Sequence, residues 1–171
     1  MSPASSDADS TVVLPTTVPG IGLRRLTVAD APAYREVVRR NLVHLGRDGD
    51  WHDEMVATLA EVEGRFADLP AADHTFGIFE LDTLVGQVTL VHATPTKWGL
   101  GFWLTEAATG RGVMTASIRE VLAHARVVLG ATEVLASVSH GNDASSAVLV
   151  RLGFVPVARL RASTRYRRTL H

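Results

Sequence analysis

The chain has 171 residues, 46% of them hydrophobic and 20% charged, enough apolar side chain to fill one core and a length that fits one domain. With no cysteine, disulfides, thiolate metal sites and a cysteine nucleophile are excluded. A formal net charge of -1 gives no global attraction to nucleic acid or acidic membranes, so neither is expected as a partner.

From Met1 to about Gly20 the chain is Ser, Thr, Pro, Ala and Asp around one apolar triplet, Val12-Val13-Leu14, and a disordered tail is expected over 1–20. This start lacks the basic-then-apolar order of a signal peptide, and no apolar run approaches the ~20 residues of a membrane helix, so a cytoplasmic protein is expected. Residues 21–171 form the expected domain. Ile21 to Leu26 reads as a strand, and Thr27-Val28-Ala29-Asp30 caps a helix carrying Tyr34, Val37, Val38, Leu42 and Leu45. After a loop from Gly46 to Trp51, Met55, Leu59, Val62 and Phe66 recur at helical spacing up to about Asp68.

The period then changes to that of strands: Phe76 to Leu81, Leu84 to Ala93 and Trp98 to Leu104, joined by short turns at Leu81-Asp82-Thr83 and Thr94-Pro95-Thr96, predict an antiparallel meander. Met114, Ile118, Val121, Leu122, Ala125 and Leu129 mark one face of a long helix closed by Gly130. A strand over Glu133 to Ser139, a short helix capped by Asn142 and running to Leu152, and two weak strands from Val155 onward complete the order. The Arg159, Arg161, Arg165, Arg167 and Arg168 series reads as a solvated face.

Two constellations carry chemistry. Thr109-Gly110-Arg111-Gly112-Val113-Met114-Thr115 lies between a strand and the start of the long helix. The first N–H groups of a helix lack internal partners and carry partial positive charge, and glycines let backbone approach a diphosphate closely. No Gly-Lys-Ser/Thr follows, which disfavours a Walker site. Hairpin strands before the loop disfavour a dinucleotide fold. The second constellation is Asn142-Asp143-Ala144-Ser145, which crowds a cap and a hydroxyl at another helix mouth.

The string Gly101-Phe102-Trp103-Leu104, then Gly110-Arg111-Gly112 with Thr115, Asn142-x-x-Ser145 and Leu152-Gly153-Phe154 resembles the GNAT superfamily of N-acetyltransferases, and within it the Rim-type branch that includes acetyltransferases of ribosomal-protein N-termini. The resemblance covers roughly Gly22 to Ala158. It implies an α/β (α+β) fold whose mostly antiparallel central sheet splays into a V between the fourth and fifth predicted strands. It implies acetyl-CoA as acyl donor and no metal. Backbone from Trp103 through Leu104 to Thr105 would pair with pantetheine, and Gly110, Arg111, Gly112, Val113, Met114 and Thr115 would wrap the pyrophosphate. Asn142 would touch the pantetheine arm, with Ser145 near the sulfur as candidate acid.

Two departures from the family pattern stand out. Ala107 occupies a position where the family usually has Gln or Arg, and Trp98-Gly99-Leu100 stands where many relatives carry Glu, so the obvious general base is missing. His140, His92 and Glu106 are the remaining candidates near the expected cleft. A small-molecule or peptide amine is the expected acceptor, with Arg47, Trp51 and His92 as candidate substrate residues. An α-amine of pKa ~7.7–8.0 is about a tenth neutral at pH 7, whereas a lysine near ~10.4 is neutral in only a few molecules per ten thousand, which favours an α-amine or another low-pKa amine on a small molecule over an unperturbed lysine where the base is weak. The competing reading is a non-catalytic acyl-CoA-binding or interaction module; a longer acyl chain and a homodimer also stay open.

Overall fold

Alternating apolar residues between His74 and Leu104 build the centre of the sheet in the computed structural model, which describes residues 13–48, 50–68 and 73–171. The strands are β1 (Val13–Pro15), β2 (Ile21–Arg25), β3 (His74–Glu80), β4 (Thr83–Thr94), β5 (Lys97–Leu104), β6 (Glu133–Ser139), β7 (Val155–Arg159) and β8 (Ser163–Thr169). The helices are α1 (Ala31–Arg40), α2 (Leu42–Gly46), α3 (His52–Val56), α4 (Leu59–Ala67), α5 (Val113–Val127) and α6 (Asp143–Arg151). The strands lie in the order β1-β2-β3-β4-β5-β6-β8-β7. Neighbours are antiparallel except β5 and β6.

One face of the sheet presents Phe76, Ile78, Val88, Leu90 and Val134 to Ile118 and Val121 of α5 and Leu149 of α6. On the other face Leu84 and Trp103 pack with Tyr34 and Val38 of α1, Leu45 of α2 and Val62 of α4. Tyr34 also donates its hydroxyl to Glu54 (2.9 Å). Burial, reinforced by the Glu54 charge, pushes the phenol's pKa up, so it stays neutral.

Three elements differ from the sequence expectation. Val13–Pro15, expected within a tail, pairs with β2 as an edge strand; residues 1–12 of that tail lie outside the described residues. Three residues of ladder suffice because Leu14 packs on the core, a contact that composition alone does not reveal. The first helical pattern is broken at Asn41, whose side chain donates to Val37 O (2.9 Å), so that α1 ends and α2 begins. The second is broken at Ala57, which is extended, after which Thr58 and Glu61 form a capping box that starts α4. Both breaks leave the apolar periodicity intact, which is why spacing alone ran the pieces together.

The feature that creates a site is the parting of β5 from β6. Their parallel ladder runs from Lys97↔Glu133 to Leu100↔Ala136 and stops there. Strand β5 continues to Leu104, held on its other edge by β4, and β6 continues to Ser139, held by β8. Each strand stays zipped to its antiparallel partner, so the sheet's twist is released as a V between them.

The β4 side of the V requires a close backbone approach at Gly86. A Cβ there would lie 2.5 Å from Trp103 O and 2.8 Å from Leu104 Cδ1. Gly86→Ala should therefore lower the unfolding free energy by roughly 1–3 kcal/mol, the usual cost of overpacking, read from urea denaturation at constant m-value.

Candidate active site

The ladder geometry fixes which peptide groups face the V. Thr105 donates its N–H to Val85 O (2.8 Å). In an antiparallel pair alternate residues exchange hydrogen bonds, so Trp103 also turns its peptide groups to β4. Those of Phe102 and Leu104 then point into the V, beyond the last β6 pair. They form an open half-ladder that an amide-bearing chain can complete.

At the head of the V lies the N-terminus of α5. Gly110 and Gly112 have φ of 73° and 75°, a left-handed conformation in which a β-carbon is strained. Gly112 is the N-cap and its carbonyl accepts from Ala116 N–H (3.0 Å). The N–H groups of Val113, Met114 and Thr115 are thus the unpaired donors of the first turn. Arg119, one turn along α5, and Arg151, which donates to Thr115 Oγ1 (3.4 Å), line the same cleft. Burial, and then the positive charge of Arg119, lower the pKa of Arg168. An anion arriving beside Arg119 relieves that repulsion.

The third wall is the mouth of α6. Asn142 Oδ1 accepts from Ser145 N–H (3.1 Å), capping the helix, while Asn142 Nδ2 donates to Asp50 (3.4 Å). Ser139, the last residue of β6, donates its hydroxyl to the other oxygen of Asp50. Asp50 and Trp51 thereby reach across the V, since a Cβ on Gly101 would sit 3.7 Å from Trp51 Cη2. Together these elements enclose a cleft of about 760 Å³ lined by Thr17, Trp51, Phe102, Leu104, Val113 and Ser145 among others. That is the size of a pocket for a cofactor-sized ligand.

The geometry has counterparts. An acetyltransferase (GNAT) domain family matches residues 21–155. The chain belongs to this family. It is an acetyl-CoA-dependent N-acetyltransferase, as the sequence motifs implied. It is 25% identical over 152 residues, 82% of this chain and 81% of the relative, to YdaF of Bacillus subtilis (strain 168), which carries the provisional name ribosomal N-acetyltransferase. Among solved structures it resembles RimL, a ribosomal L7/L12 alpha-N-protein acetyltransferase in complex with coenzyme A. That match has a TM-score of 0.82 at 20% identity and covers 93% of this chain and 98% of that one. Mycobacterium smegmatis RimJ in complex with CoA-disulfide gives a TM-score of 0.80 at 24% identity, over 92% of this chain and 86% of the other.

In this acetyltransferase the expected residues fall into two groups. Leu104, Gly110, Gly112, Val113, Met114, Thr115, Asn142, Ser145, Arg47 and Trp51 line the cleft, and so does Trp103, through a side chain buried on α1. The others lie elsewhere. The Thr105 N–H is held by β4, so its backbone donor is not free for a ligand, and the residue lies outside the cleft lining. Arg111 turns away from the cleft to pair with Glu80, which holds that carboxyl's pKa down, leaving only its backbone for phosphate. His92 pairs with Trp98 in the zipped end of the sheet, the end opposite the V, and its ring packs on Trp98 (5.0 Å). His140 is exposed just past β6, outside the cleft lining, with its N–H donating to Ala162 O (3.0 Å). Glu106 is paired with Arg47 (3.5 Å) on the surface.

Sequence reading missed Asp50, Phe102 as a backbone donor, His44, Arg119, Arg151 and the Thr17-Val18 segment, all of which line the cleft. Arg119 was accessible to it, being four residues beyond Thr115 on a helix and hence on the same face. If Arg119 and Arg151 hold phosphate from exposed positions, Arg119→Ala and Arg151→Ala should each weaken coenzyme A binding roughly fivefold, about 1 kcal/mol. The double variant should flatten the salt dependence of the affinity in calorimetric titration.

Proposed function

We propose that the chain acetylates the α-amine of a polypeptide N-terminus by direct attack on acetyl-CoA in a ternary complex. The observation that carries this is the V itself. It offers the peptide groups of Phe102 and Leu104 to a pantetheine arm on one side, and a glycine-floored sheet face to an extended acceptor on the other. That face is floored by Gly99 and Gly101 and continues over Ser137, which is exposed beside exposed Arg165. The α1–α4 layer covers the β2–β5 half of this side, with Leu84 and Trp103 in its core. Glycines on the floor leave room for an extended chain beside Trp51, which lies over Gly101, and this suits a peptide better than a compact small molecule.

The residues present fit the donor substrate. Free first-turn N–H groups on α5 with Arg119 and Arg151 suit phosphates, and the half-ladder of β5 suits the amides of pantetheine. Acetyl-CoA supplies an acyl thioester when bound. The chain's own contribution is to hold the amine and thioester in line, to offer a β5 backbone N–H where negative charge develops on the carbonyl oxygen, and to bring the Ser145 hydroxyl near the departing sulfur. The names of YdaF and RimL, each tied to ribosomal or ribosomal-protein acetylation, agree with a protein acceptor.

The test is thiol release from acetyl-CoA with peptides bearing a free or a blocked N-terminus and one internal lysine. Turnover is expected only with the free N-terminus, and the acetyl group is expected there and not on lysine. Ser145→Ala should lower kcat about 10- to 100-fold with little change in coenzyme A affinity. Acetylation of small amines but no peptide would overturn the polypeptide assignment.

A further inference from the structure

The reading above leaves the acceptor's proton without a destination, since the family's usual acidic position before Gly101 is Trp98-Gly99-Leu100 and His92 and His140 lie outside the cleft. We propose that Asp50 is the proton acceptor of this acetyltransferase. The proposal rests on the N-acetyltransferase reading and deepens it.

Asp50 lines the cleft from the loop that crosses the V. Its two carboxylate oxygens are aimed by two groups of the opposite wall, the Ser139 hydroxyl at the parted end of β6 and the Asn142 amide. Asn142 is in turn fixed by Ser145 N–H, so one chain of contacts joins the carboxylate to the backbone of the residue proposed to protonate the leaving sulfur. Trp51, the next residue, lies over Gly101 on the acceptor side. An ammonium arriving over Gly99 and Gly101 therefore meets Asp50 at the gap between the strands.

The proton balance closes. The acceptor enters as an ammonium and gives one proton to the Asp50 carboxylate, which holds it while the acyl group moves and then releases it to solvent. The freed lone pair forms the C–N bond to the acyl carbon as the C–S bond breaks. The second proton leaves the nitrogen to water as the amide forms, and it replaces the one that the thiolate takes from Ser145 or water. Products are the amide, the free thiol and one proton.

Other titratable groups face this region. On the same loop and its flanks are Arg47, Asp48, His52, Asp53 and Glu54; Arg47 is paired with Glu106 and Glu54 with Arg65. From the opposite wall come His140 and Asp143, and from the phosphate end Arg119 and Arg151. His44 of α2 lines the cleft, but its Nδ1 is buried without a hydrogen-bond partner. Asp50 is distinguished by being bonded to both Ser139 at the parted end of β6 and Asn142 at the mouth of α6.

The test is the pH profile of kcat/KM for a peptide with a free N-terminus, in the parent chain, Asp50→Asn, Asp50→Ala and His44→Asn. With Asp50 as acceptor, the parent's profile is level from about pH 6 to the amine's pKa near ~7.7–8.0. Asp50→Asn then depends on amine already neutral in solution, so its rate rises about tenfold per pH unit and lies roughly 100-fold below the parent at pH 6. Unchanged coenzyme A affinity shows that the variant is folded, and added formate restores part of the Asp50→Ala rate. A parent that turns over while Asp50→Asn keeps its level profile overturns the proposal, as does a profile change that follows His44→Asn instead. Absence of turnover in the parent on any amine would strike the acetyltransferase reading itself.

Discussion

Everything at this site depends on the β5–β6 ladder stopping at Leu100↔Ala136. An unpaired peptide group inside a protein costs free energy unless it finds a partner, so an opened sheet is tolerated only where solvent or a ligand can fill it. Here Phe102 and Leu104 are left facing the gap, while the alternate residues Trp103 and Thr105 stay bonded to β4. The fold has thus left one half of a β-ladder open along this edge of β5. The same parting brings two helix N-termini, those of α5 and α6, to opposite lips of one cleft.

Charge is distributed to match. Arg119 of α5 and Arg151 at the end of α6 line one part of the cleft, and Asp48 and Asp50 before α3 line another. Positive and negative side chains are thus separated along one cleft. The surface pair Arg111–Glu80 holds that arginine away from the cleft, while Arg47, which lines it, is paired with Glu106. Such exposed pairs add little to stability; their effect is on where the side chains point.

Much of the fold was legible because it is written in period and punctuation. The α5 stripe of Met114, Ile118, Val121, Leu122 and Ala125 is buried as its spacing requires, and Gly112 and Asn142 cap the helices they precede. The glycine turn before α5 was legible for the same reason, since glycines before a helix announce themselves. The roles of Thr105, Arg111 and His92 were not, because they depend on which way a peptide or side chain points within a paired strand. Register and partner decide that: Val85 takes the Thr105 donor, Glu80 takes Arg111, and His92 sits at the zipped end of the sheet. Asp50 was illegible altogether. It lies in an irregular loop 89 residues from Ser139 in sequence, and only the folded chain brings them together.

The most direct test of the central claim, that the parted strands are completed by the donor substrate, is residue-resolved amide hydrogen exchange with and without coenzyme A. The account predicts that Phe102, Leu104 and the first-turn amides Val113, Met114 and Thr115 exchange more slowly when coenzyme A is bound, while Trp103 and Thr105, already bonded to β4, change little. Unchanged exchange at Phe102 and Leu104 in a complex that demonstrably forms would contradict it.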